Sequence, residues 1–595
     1  MEKMNFRIKI IVIGFVAVWM VLLMRIFAIS IQSNQYYTQL AQKNITRKDI
    51  DVPFRGLIKD RNGALVAMNQ MGFSIALDPH LSPTQLEGQI DFLQKYLPSL
   101  NASEITKIYN KEKSAYNHIP IKVVKFVDYN LMQKKYPFLV QNSKIFIEPA
   151  SKRYYPYASS ASHVIGYVGA SDEGDISKNM VSKYTGIVGK TGLERKYNTF
   201  LQGRIGERIV IVDSHNRMIS VRYENDSVNR NDLTTTLDMR LQKIADEAFS
   251  GKNGAVLVMN IESGELLVAG SYPEYDLNDF VGGISYAKWN SLQEDLSNPL
   301  LNKLINGLYA PGSVIKMGMA LALLEHAGIN EHTLIDAPGY IELGGRRFRD
   351  WKSDGHGKTD VIKALRESVD VYFYKLSQQA GMTNIANTLS IMGFGEKTGV
   401  DLPNEFVGIL PSPEWKMSKG QPWYLGDTVI TSIGQGSFLV TPMQIVRYTA
   451  LIAGGELPTP HFAKIFQDKE SDFTSKNVFN DFQKSKLRFI QEGMYQACSS
   501  ERGTAHKGTQ SALMPLACKT GTAQVVSIPQ NIKVRIKESD MPYYHRSHAW
   551  ITGYVPYKKP KYAITVFIEH GEAGGKAGVI LARMANALKE LGYLN

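Results

Sequence analysis

Two serine–lysine pairs in this 595-residue sequence have the spacing of a nucleophile and its base, Ser313 with Lys316 and Ser285 with Lys288. A serine at the start of a helix can act as a nucleophile, because free N–H groups and the helix dipole stabilise developing negative charge. A lysine three residues later lies on the same helix face. It can take the serine proton if burial and nearby cations keep it neutral often enough. Taken alone, such a pair is more often a helix cap followed by a solvated surface charge than a catalytic pair.

The surroundings of the two pairs favour Ser313. It follows Pro-Gly and opens the apolar helical run Val314–Leu324, whereas Ser285 precedes a Trp-Asn break. We therefore predict Ser313 as the nucleophile and Lys316 as its base.

The tripeptide Lys-Thr-Gly occurs three times, beginning at Lys190, Lys397 and Lys519. The first copy precedes a helix and the second lies in a Gly/Pro-flanked loop, but the third continues an apolar strand, Leu513–Cys518. A strand edge can pair with an extended peptide, its Lys and Thr side chains can hold a terminal carboxylate, and Gly permits close approach. On this strand Lys519 is predicted to be a catalytic residue that also helps to hold the carboxylate, and the predicted substrate-binding residues are Thr520, Gly521 and Thr522.

Ser368-Val-Asp370 lies between these motifs, within a predicted helical run. A Ser-x-Asp pair alone says little, since a solvated loop or a cap has the same pattern. The order Ser-x-x-Lys, Ser-x-Asp, Lys-Thr-Gly is the combination of penicillin-binding proteins and class A β-lactamases. It predicts an enzyme with an acylated serine and places Ser368 and Asp370 in its site.

Over almost its whole length the chain resembles the class B penicillin-binding proteins. The similar motifs are Arg55-Gly56, Asp60-Arg-Asn-Gly63, Arg153-Tyr-Tyr-Pro156, His163-Val-Ile-Gly166, Gly192-Leu-Glu194, Gly434-Gln-Gly436, Thr441-Pro-Met-Gln444 and Arg502-Gly-Thr504. The elongation branch is favoured over the division branch by Arg349-Asp-Trp-Lys352, Gly355-His-Gly357 and His548-Ala-Trp550.

The resemblance implies a peptidoglycan D,D-transpeptidase that cross-links stem peptides during cell elongation and cell-shape maintenance, and that β-lactams inhibit. Ser313 would attack the penultimate D-Ala carbonyl, Lys316 would accept the Ser313 proton, and Ser368 would relay a proton to the departing D-Ala. Backbone N–H groups of Ser313 and Thr522 would form the oxyanion hole. This cycle needs no cofactor.

The same resemblance assigns the remaining site residues. Lys519, with Thr520 and Thr522, would bind the terminal carboxylate of the donor peptide. Asp370 would position Lys316 and Ser368. Most of the superfamily has Asn at the position of Asp370, although elongation-type members often carry Asp.

Some elongation-type members are thought to bind zinc near this region through two Asp, one His and one Cys. Asp336, Asp350 and His356 resemble the first three ligands, but the Cys position holds Val369. Structural zinc sites have four protein ligands. Two carboxylates and one imidazole with no fourth ligand therefore make a weak zinc site. We predict no metal.

The segment Ile10–Ile31 is apolar apart from Arg25 and is long enough to span a membrane. Lys3, Arg7 and Lys9 precede it and favour a cytoplasmic N-terminus. A cleaved signal peptide is the alternative, but no Ala-x-Ala-like site follows and the run exceeds a usual h-region. We expect a single-pass inner-membrane protein with its catalytic part in the periplasm.

Four segments are expected along the chain: a cytoplasmic tail at 1–9, a transmembrane helix at 10–31, a non-catalytic dimerisation-type pedestal at 32–231 and a transpeptidase domain at 232–595. Alternating strand-like runs and polar helices predict an elongated, mostly β/α pedestal. The predicted elements of the second domain are a helix capped by Asp238, strands Gly254–Asn260, Glu265–Ser271, Leu516–Val526, Ala549–Tyr554 and Tyr562–Glu569, and a last helix Val579–Leu591. The expected fold class is α+β or α/β. The second domain would be a penicilloyl-serine transferase (serine β-lactamase-like) domain with a central antiparallel sheet flanked by helices.

The net charge of +12 is dispersed and no nucleic-acid motif accompanies it, so attraction to anionic lipid or wall polymer is the preferred interpretation. Cys498 and Cys518 are the only cysteines; they could form one disulfide or remain two buried thiols. The polar stretch Ser527–Arg546 is predicted to be a mobile loop that could gate the site.

The family implies two partners besides stem peptides and β-lactams: a SEDS-type glycan polymerase and a scaffold protein of the elongation machinery. A D,D-carboxypeptidase would use the same acylation site and send water to the acyl-enzyme, so it remains an alternative. A β-lactam-binding sensor is the other, although nine residues before the span leave little room for a signalling domain.

Overall fold

The chain packs into two compact units, each assembled from separated segments. The computed structural model describes residues 2–32, 45–115, 119–213, 218–227, 231–466, 469–470, 472–526 and 537–595. The smaller unit consists of Met1–Arg55, Gln70–Lys152 and Gln202–Arg230. The larger unit consists of Gly56–Asn69, Arg153–Leu201 and Asn231–Asn595. The domain boundary expected between residues 231 and 232 stays a prediction, because compactness does not by itself define a functional domain.

The smaller unit begins with the expected apolar helix, Glu2–Phe27, which continues as a π-helical turn, Ala28–Gln32. The segment Met4–Ile31 has a mean hydropathy of 2.7 and is long and apolar enough to cross a membrane. Its most apolar window is not buried against the rest of the described chain. These properties are consistent with a membrane anchor.

Antiparallel strand pairs and three helices form the rest of the smaller unit. Strand Gly206–Val212 pairs antiparallel with both Thr46–Asp51 and Met218–Asn225. Strand Leu65–Leu77 pairs with two others. Its second half pairs antiparallel with Ile121–Asp128, and it also pairs with Ile145–Tyr154. The helices are Pro83–Tyr96, Ala102–Glu112 and Tyr129–Leu139, and their N-caps are Ser82, Asn101 and Asp128. They cover a core that includes the fully buried Leu93, Tyr109 and Met132.

In the larger unit a buried ion pair fixes the segment before the catalytic region. Arg153 Nε lies 2.7 Å from Glu194 Oε1, both side chains are inaccessible, and Arg153 also donates to the Gly56 carbonyl. The short helices here are Ser162–Ile165, Glu173–Lys178, Met180–Thr185, Gly192–Lys196 and Asn198–Leu201. The short strands are Ile58–Lys59, Val168–Ala170, Ile187–Gly189, Leu233–Thr235, Ala463–Phe466 and Lys469–Glu470.

A five-stranded antiparallel sheet forms the centre of the larger unit. Its strands are β1 (Gly254–Asn260), β2 (Leu266–Tyr272), β3 (Ala517–Ala523), β4 (His548–Val555) and β5 (Tyr562–Ile568). Their order is β2-β1-β5-β4-β3, so β3 lies at an edge. The predicted sheet built from the two ends of this region is confirmed.

Helices cover both faces of this sheet because its side chains are apolar on both sides. Val256 and Val258 pack into the core beneath helices Met239–Ala248 and Gly574–Glu590. Leu257 on the opposite face joins the core that contains helix Pro442–Gly454 and the four helices nearest the site. These four are α1 (Lys316–His326), α2 (Val361–Arg366), α3 (Asp370–Ala380) and α4 (Asp481–Ser499). The predicted sandwich of helices around an antiparallel sheet is therefore confirmed.

Smaller elements complete the larger unit. The remaining helices are Tyr286–Glu294, Met382–Ile391, Pro413–Met417, Leu425–Thr431 and His506–Thr509. Two further antiparallel pairs are Ile335–Ala337 with Gly357–Thr359 and Tyr340–Leu343 with Arg346–Arg349.

Three local predictions from the sequence differ from the structure. The last helix begins at Gly574, five residues early, because its glycines pack closely: a Cβ on Gly574 would lie 2.4 Å from the Gly521 carbonyl oxygen. Strand β3 runs from Ala517 to Ala523, so it begins one residue after the predicted Leu516, and the apolar run from Leu513 only partly belongs to it. The expected Trp-Asn break is absent, since Ser285 caps a helix, Tyr286–Glu294, that runs through these residues.

Cys498 and Cys518 form a disulfide with a Cα–Cα distance of 6.2 Å, which decides between the two alternatives left open by the sequence. The bond joins the end of α4 to β3, at the residue before Lys519. Of the loop Ser527–Arg546, residues 527–536 lie outside the described chain, and the rest includes two 3-10 turns, Glu538–Asp540 and Tyr543–His545.

Replacing both cysteines by alanine is expected to lower the free energy of unfolding by about 3 kcal/mol, because a cross-link of this loop length restricts the unfolded chain. Urea unfolding of the detergent-solubilised protein measures the change. A reductant should lower the stability of the wild type toward that of the double variant and leave the variant unchanged. A wild type insensitive to reductant during unfolding would contradict the bond.

Candidate active site

The predicted nucleophile lies in a tight turn rather than in the α-helix itself. Ser313 is half-buried in a 3-10 turn, Gly312–Ile315, and α1 begins only at Lys316. The turn packs against β3: a Cβ on Gly521 would lie 3.0 Å from a methyl group of Val314. Glycine at this strand position therefore lets the Ser313 turn approach the strand.

Three contacts hold the chain before Ser313. Gly312 has a φ of +55° and donates its N–H to the Gly434 carbonyl at 2.8 Å. The Trp550 indole donates to the Ala310 carbonyl at 3.1 Å. Tyr309 exchanges two backbone hydrogen bonds with Val440. The turn is thus fixed from several directions before a substrate binds.

Lys316 is fully buried and has polar partners on one side and an aromatic ring near its ammonium group. Its Nζ lies 2.5 Å from Asp370 Oδ1 and 3.0 Å from the Ser368 carbonyl oxygen. The Phe373 ring centroid lies 5.1 Å from Nζ. Because a buried ammonium group is unfavourable without a counter-charge, Asp370 is the contact that permits Lys316 to lie here.

Ser368 occupies a break between α2 and α3, so the predicted continuous helical run is wrong at this residue. Its φ of +55° is in the left-handed region, which non-glycine residues adopt rarely and mostly where surrounding contacts impose it. The hydroxyl oxygen accepts from Lys519 Nζ at 2.8 Å and from Lys316 Nζ at 3.4 Å. Since both neighbours are donors, the Ser368 hydroxyl proton can be given to a third group.

Lys519 completes the cluster from β3. Its Nζ also donates to the Thr520 carbonyl at 2.9 Å, and the side chain is fully buried. Burial, and then repulsion from Lys316, lowers the pKa of Lys519 well below its ordinary value. Burial raises the pKa of Asp370, and attraction to Lys316 opposes that rise. Two lysines therefore compete for one carboxylate.

The structure thus brings Lys316, Ser368, Asp370 and Lys519 into direct contact. Ser313 joins them through its turn, three residues before Lys316. The other two strand residues contact neighbours: the Thr520 hydroxyl lies 2.7 Å from that of Thr504, and the Thr522 carbonyl accepts from the Gln435 side chain at 3.0 Å.

Among the residues with contacts at this site, four had been noticed in the sequence without being given a role: Gly434, Gln435, Thr504 and Trp550. All four lie in motifs that resemble the family. Membership in such a motif is the signal that could have selected them, but it does not say which atoms they contact.

The residues that resemble zinc ligands do not fit a metal site. Both ring nitrogens of His356 contact carboxylates, Asp350 at 3.2 Å and Glu367 at 2.9 Å, while Asp336 is exposed and Val369 offers no donor. Within the described residues no group of three His, Cys, Asp or Glu side chains is arranged to hold an ion. Although burial alone would lower it, these two carboxylates raise the pKa of His356.

Comparison with known proteins identifies the family. The model of the penicillin-binding protein transpeptidase domain matches residues 254–588, and that of the penicillin-binding protein dimerisation domain matches residues 50–235. The peptidoglycan D,D-transpeptidase MrdA of Salmonella typhimurium is 32% identical over 98% of this chain and 95% of its own length. The chain belongs to the class B penicillin-binding proteins.

Solved structures place it in the penicillin-binding protein 2 branch. The penicillin-binding protein (PBP2) in a complex with MreC from Helicobacter pylori is 50% identical, with a TM-score of 0.86 over 92% of this chain and all of that one. A chain of a peptidoglycan synthase complex that coordinates polymerization and crosslinking is 25% identical, with a TM-score of 0.73 over 98% of each chain.

The low pKa of Lys519 predicts how the stability of this penicillin-binding protein changes with pH. Between the lowered folded pKa and the ordinary value of the unfolded chain, the unfolded state binds more protons, so raising the pH favours the folded state. The unfolding free energy of wild type relative to Lys519→Met should therefore rise between pH 7 and 9.5, by up to about 1.4 kcal/mol per pH unit. Urea unfolding in detergent measures it, and a constant difference would contradict a lowered pKa.

Proposed function

We propose that this chain is a peptidoglycan D,D-transpeptidase that cross-links stem peptides through a Ser313 acyl-enzyme during cell elongation. The observation that carries the proposal is the Ser368 hydroxyl, which accepts from both Lys316 and Lys519 beside the Ser313 turn. The name of the MrdA relative and the transpeptidase family model support the same reaction.

Acylation begins when the Ser313 oxygen attacks the penultimate D-Ala carbonyl of the donor peptide. Lys316 takes the Ser313 proton, and backbone N–H groups of Ser313 and Thr522 stabilise the oxyanion. The C–N bond to the terminal D-Ala then breaks, Ser368 delivers its proton to the departing amine, and the proton that Lys316 took from Ser313 replaces it on Ser368. The low pKa of Lys519 supports this proton path, because the cluster readily holds one proton fewer than its two lysines could carry.

Substrate binding is assigned to β3. As an edge strand it can pair with the extended donor peptide, while Lys519, Thr520 and Thr522 contribute positive potential and hydroxyl donors for the terminal carboxylate. An amine of a neighbouring stem peptide then attacks the Ser313 ester, which forms the cross-link and returns a proton to Ser313. Residues 232–595 form the transpeptidase domain and residues 32–231 the pedestal in this proposal.

The N-terminal helix anchors the enzyme in the inner membrane, with residues 1–9 in the cytoplasm and the catalytic domain in the periplasm. Lys3, Arg7 and Lys9 support this orientation. The relative bound to MreC and the relative from a peptidoglycan synthase complex support two partners, a scaffold protein and a glycan polymerase.

Benzylpenicillin should acylate the detergent-solubilised protein on Ser313, as shown by intact mass and peptide mapping. Ser313→Ala should abolish the adduct because it removes the nucleophile. Ser285→Ala is the matched control, since Ser285 has the same Ser-x-x-Lys spacing but only caps an exposed helix.

An adduct that persists in folded Ser313→Ala, or that maps to Ser285, would contradict the site. Transpeptidation is then tested with a donor peptide and an acceptor amine, by following the cross-linked product. Release of D-Ala without that product would indicate hydrolysis instead.

A further inference from the structure

Thr504 links two catalytic elements that lie far apart in the sequence. Its backbone N–H donates to the Arg366 carbonyl at 3.2 Å, two residues before Ser368. Its hydroxyl lies 2.7 Å from that of Thr520 on β3. One residue therefore connects the end of α2 to the strand that carries Lys519.

The backbone around Thr504 is closely fixed. Gly503 donates to the Ser500 carbonyl at 2.7 Å and Ala505 to the Ala497 carbonyl at 3.0 Å. A Cβ on Gly503 would lie 2.3 Å from the Ala497 oxygen, so only glycine permits this turn. The Cys498–Cys518 disulfide attaches the preceding helix to β3. These contacts fix the backbone on both sides of Thr504 and therefore hold its hydroxyl next to that of Thr520.

The two hydroxyls must divide donation and acceptance between them. Thr520 is almost fully buried, and in the described part of the chain Thr504 is the side chain to which its hydroxyl is hydrogen-bonded. A hydroxyl carries one proton and two lone pairs. If Thr520 donates its proton to a ligand carboxylate, then Thr504 has to be the donor in the Thr504–Thr520 bond.

We propose that Thr504 is a positioning residue for the carboxylate subsite: by donating to Thr520, it aims the Thr520 proton at the substrate carboxylate. This inference rests on the proposed function and extends it to a residue outside the three catalytic motifs. Hydrogen bonds in series strengthen one another, so losing the first weakens the second.

The test compares acylation by benzylpenicillin with acylation by its methyl ester, which lacks the carboxylate. Thr504→Val keeps the shape and removes the hydroxyl. It should lower the ratio of the acid's second-order rate constant to the ester's by about tenfold, the effect of one hydrogen bond. Thr504→Ser retains the hydroxyl and should restore the ratio to within about twofold of wild type.

Thr509→Val is the matched control. Thr509 lies five residues further on, is as buried as Thr520, and donates to the Ala505 carbonyl rather than to β3. Its loss should leave the ratio unchanged. In a Thr520→Val background, Thr504→Val should cause no further loss, because its action passes through Thr520.

Equal slowing of acid and ester in a cooperatively melting Thr504→Val protein, or no slowing of either, would overturn the inference. Thr504→Ala is measured in parallel and decides the question if the valine variant does not fold. Failure of the proposed function gives a different result, namely no Ser313 adduct in the wild type.

Discussion

The contact between the Asp370 carboxylate and the buried Lys316 supplies the counter-charge on which the rest of the site depends. Lys316 lies 2.5 Å from Asp370, and Lys519 reaches the same cluster through Ser368. Removing an ammonium group from water is costly unless a counter-charge replaces the lost hydration. The Asp370 carboxylate stabilises the positive charge of the cluster in the folded protein. Because one carboxylate does not balance two ammonium groups, one of the lysines readily loses a proton. This balance is what an acyl-transfer site requires of its base.

Separate parts of the chain supply this cluster, and each is held by contacts outside it. The turn of Ser313 packs on Gly521, the left-handed Ser368 lies between two helices, and β3 is an edge of the central sheet. The Cys498–Cys518 disulfide joins the end of α4 to this strand, and the Thr504 hydroxyl joins the turn that follows α4 to the same strand. Preorganisation of this kind is favourable for catalysis, because little rearrangement is needed once the substrate binds.

Much of this could be predicted from sequence because the signals are local. Apolar runs predicted the sheet strands and the N-terminal apolar helix, and the three motifs in order predicted the cluster of Lys316, Ser368, Asp370 and Lys519. Other features depend on distant partners. The left-handed backbone conformation of Ser368 cannot be predicted from its residue type, because serine rarely adopts it. The bond between Cys498 and Cys518 requires proximity that spacing does not show, and the role of Thr504 depends on a strand that comes later in the chain.

The most direct test of the charge balance is the pH dependence of Ser313 acylation by benzylpenicillin in the wild type and in Asp370→Asn. Asparagine keeps the size and hydrogen-bonding capacity of the side chain and removes its charge. Loss of an opposite charge makes protonation of the lysine cluster harder, so the acid limb of the profile should move about one to three pH units lower. Superimposed profiles from two folded proteins would show that Asp370 does not balance the buried lysines, and would contradict the account.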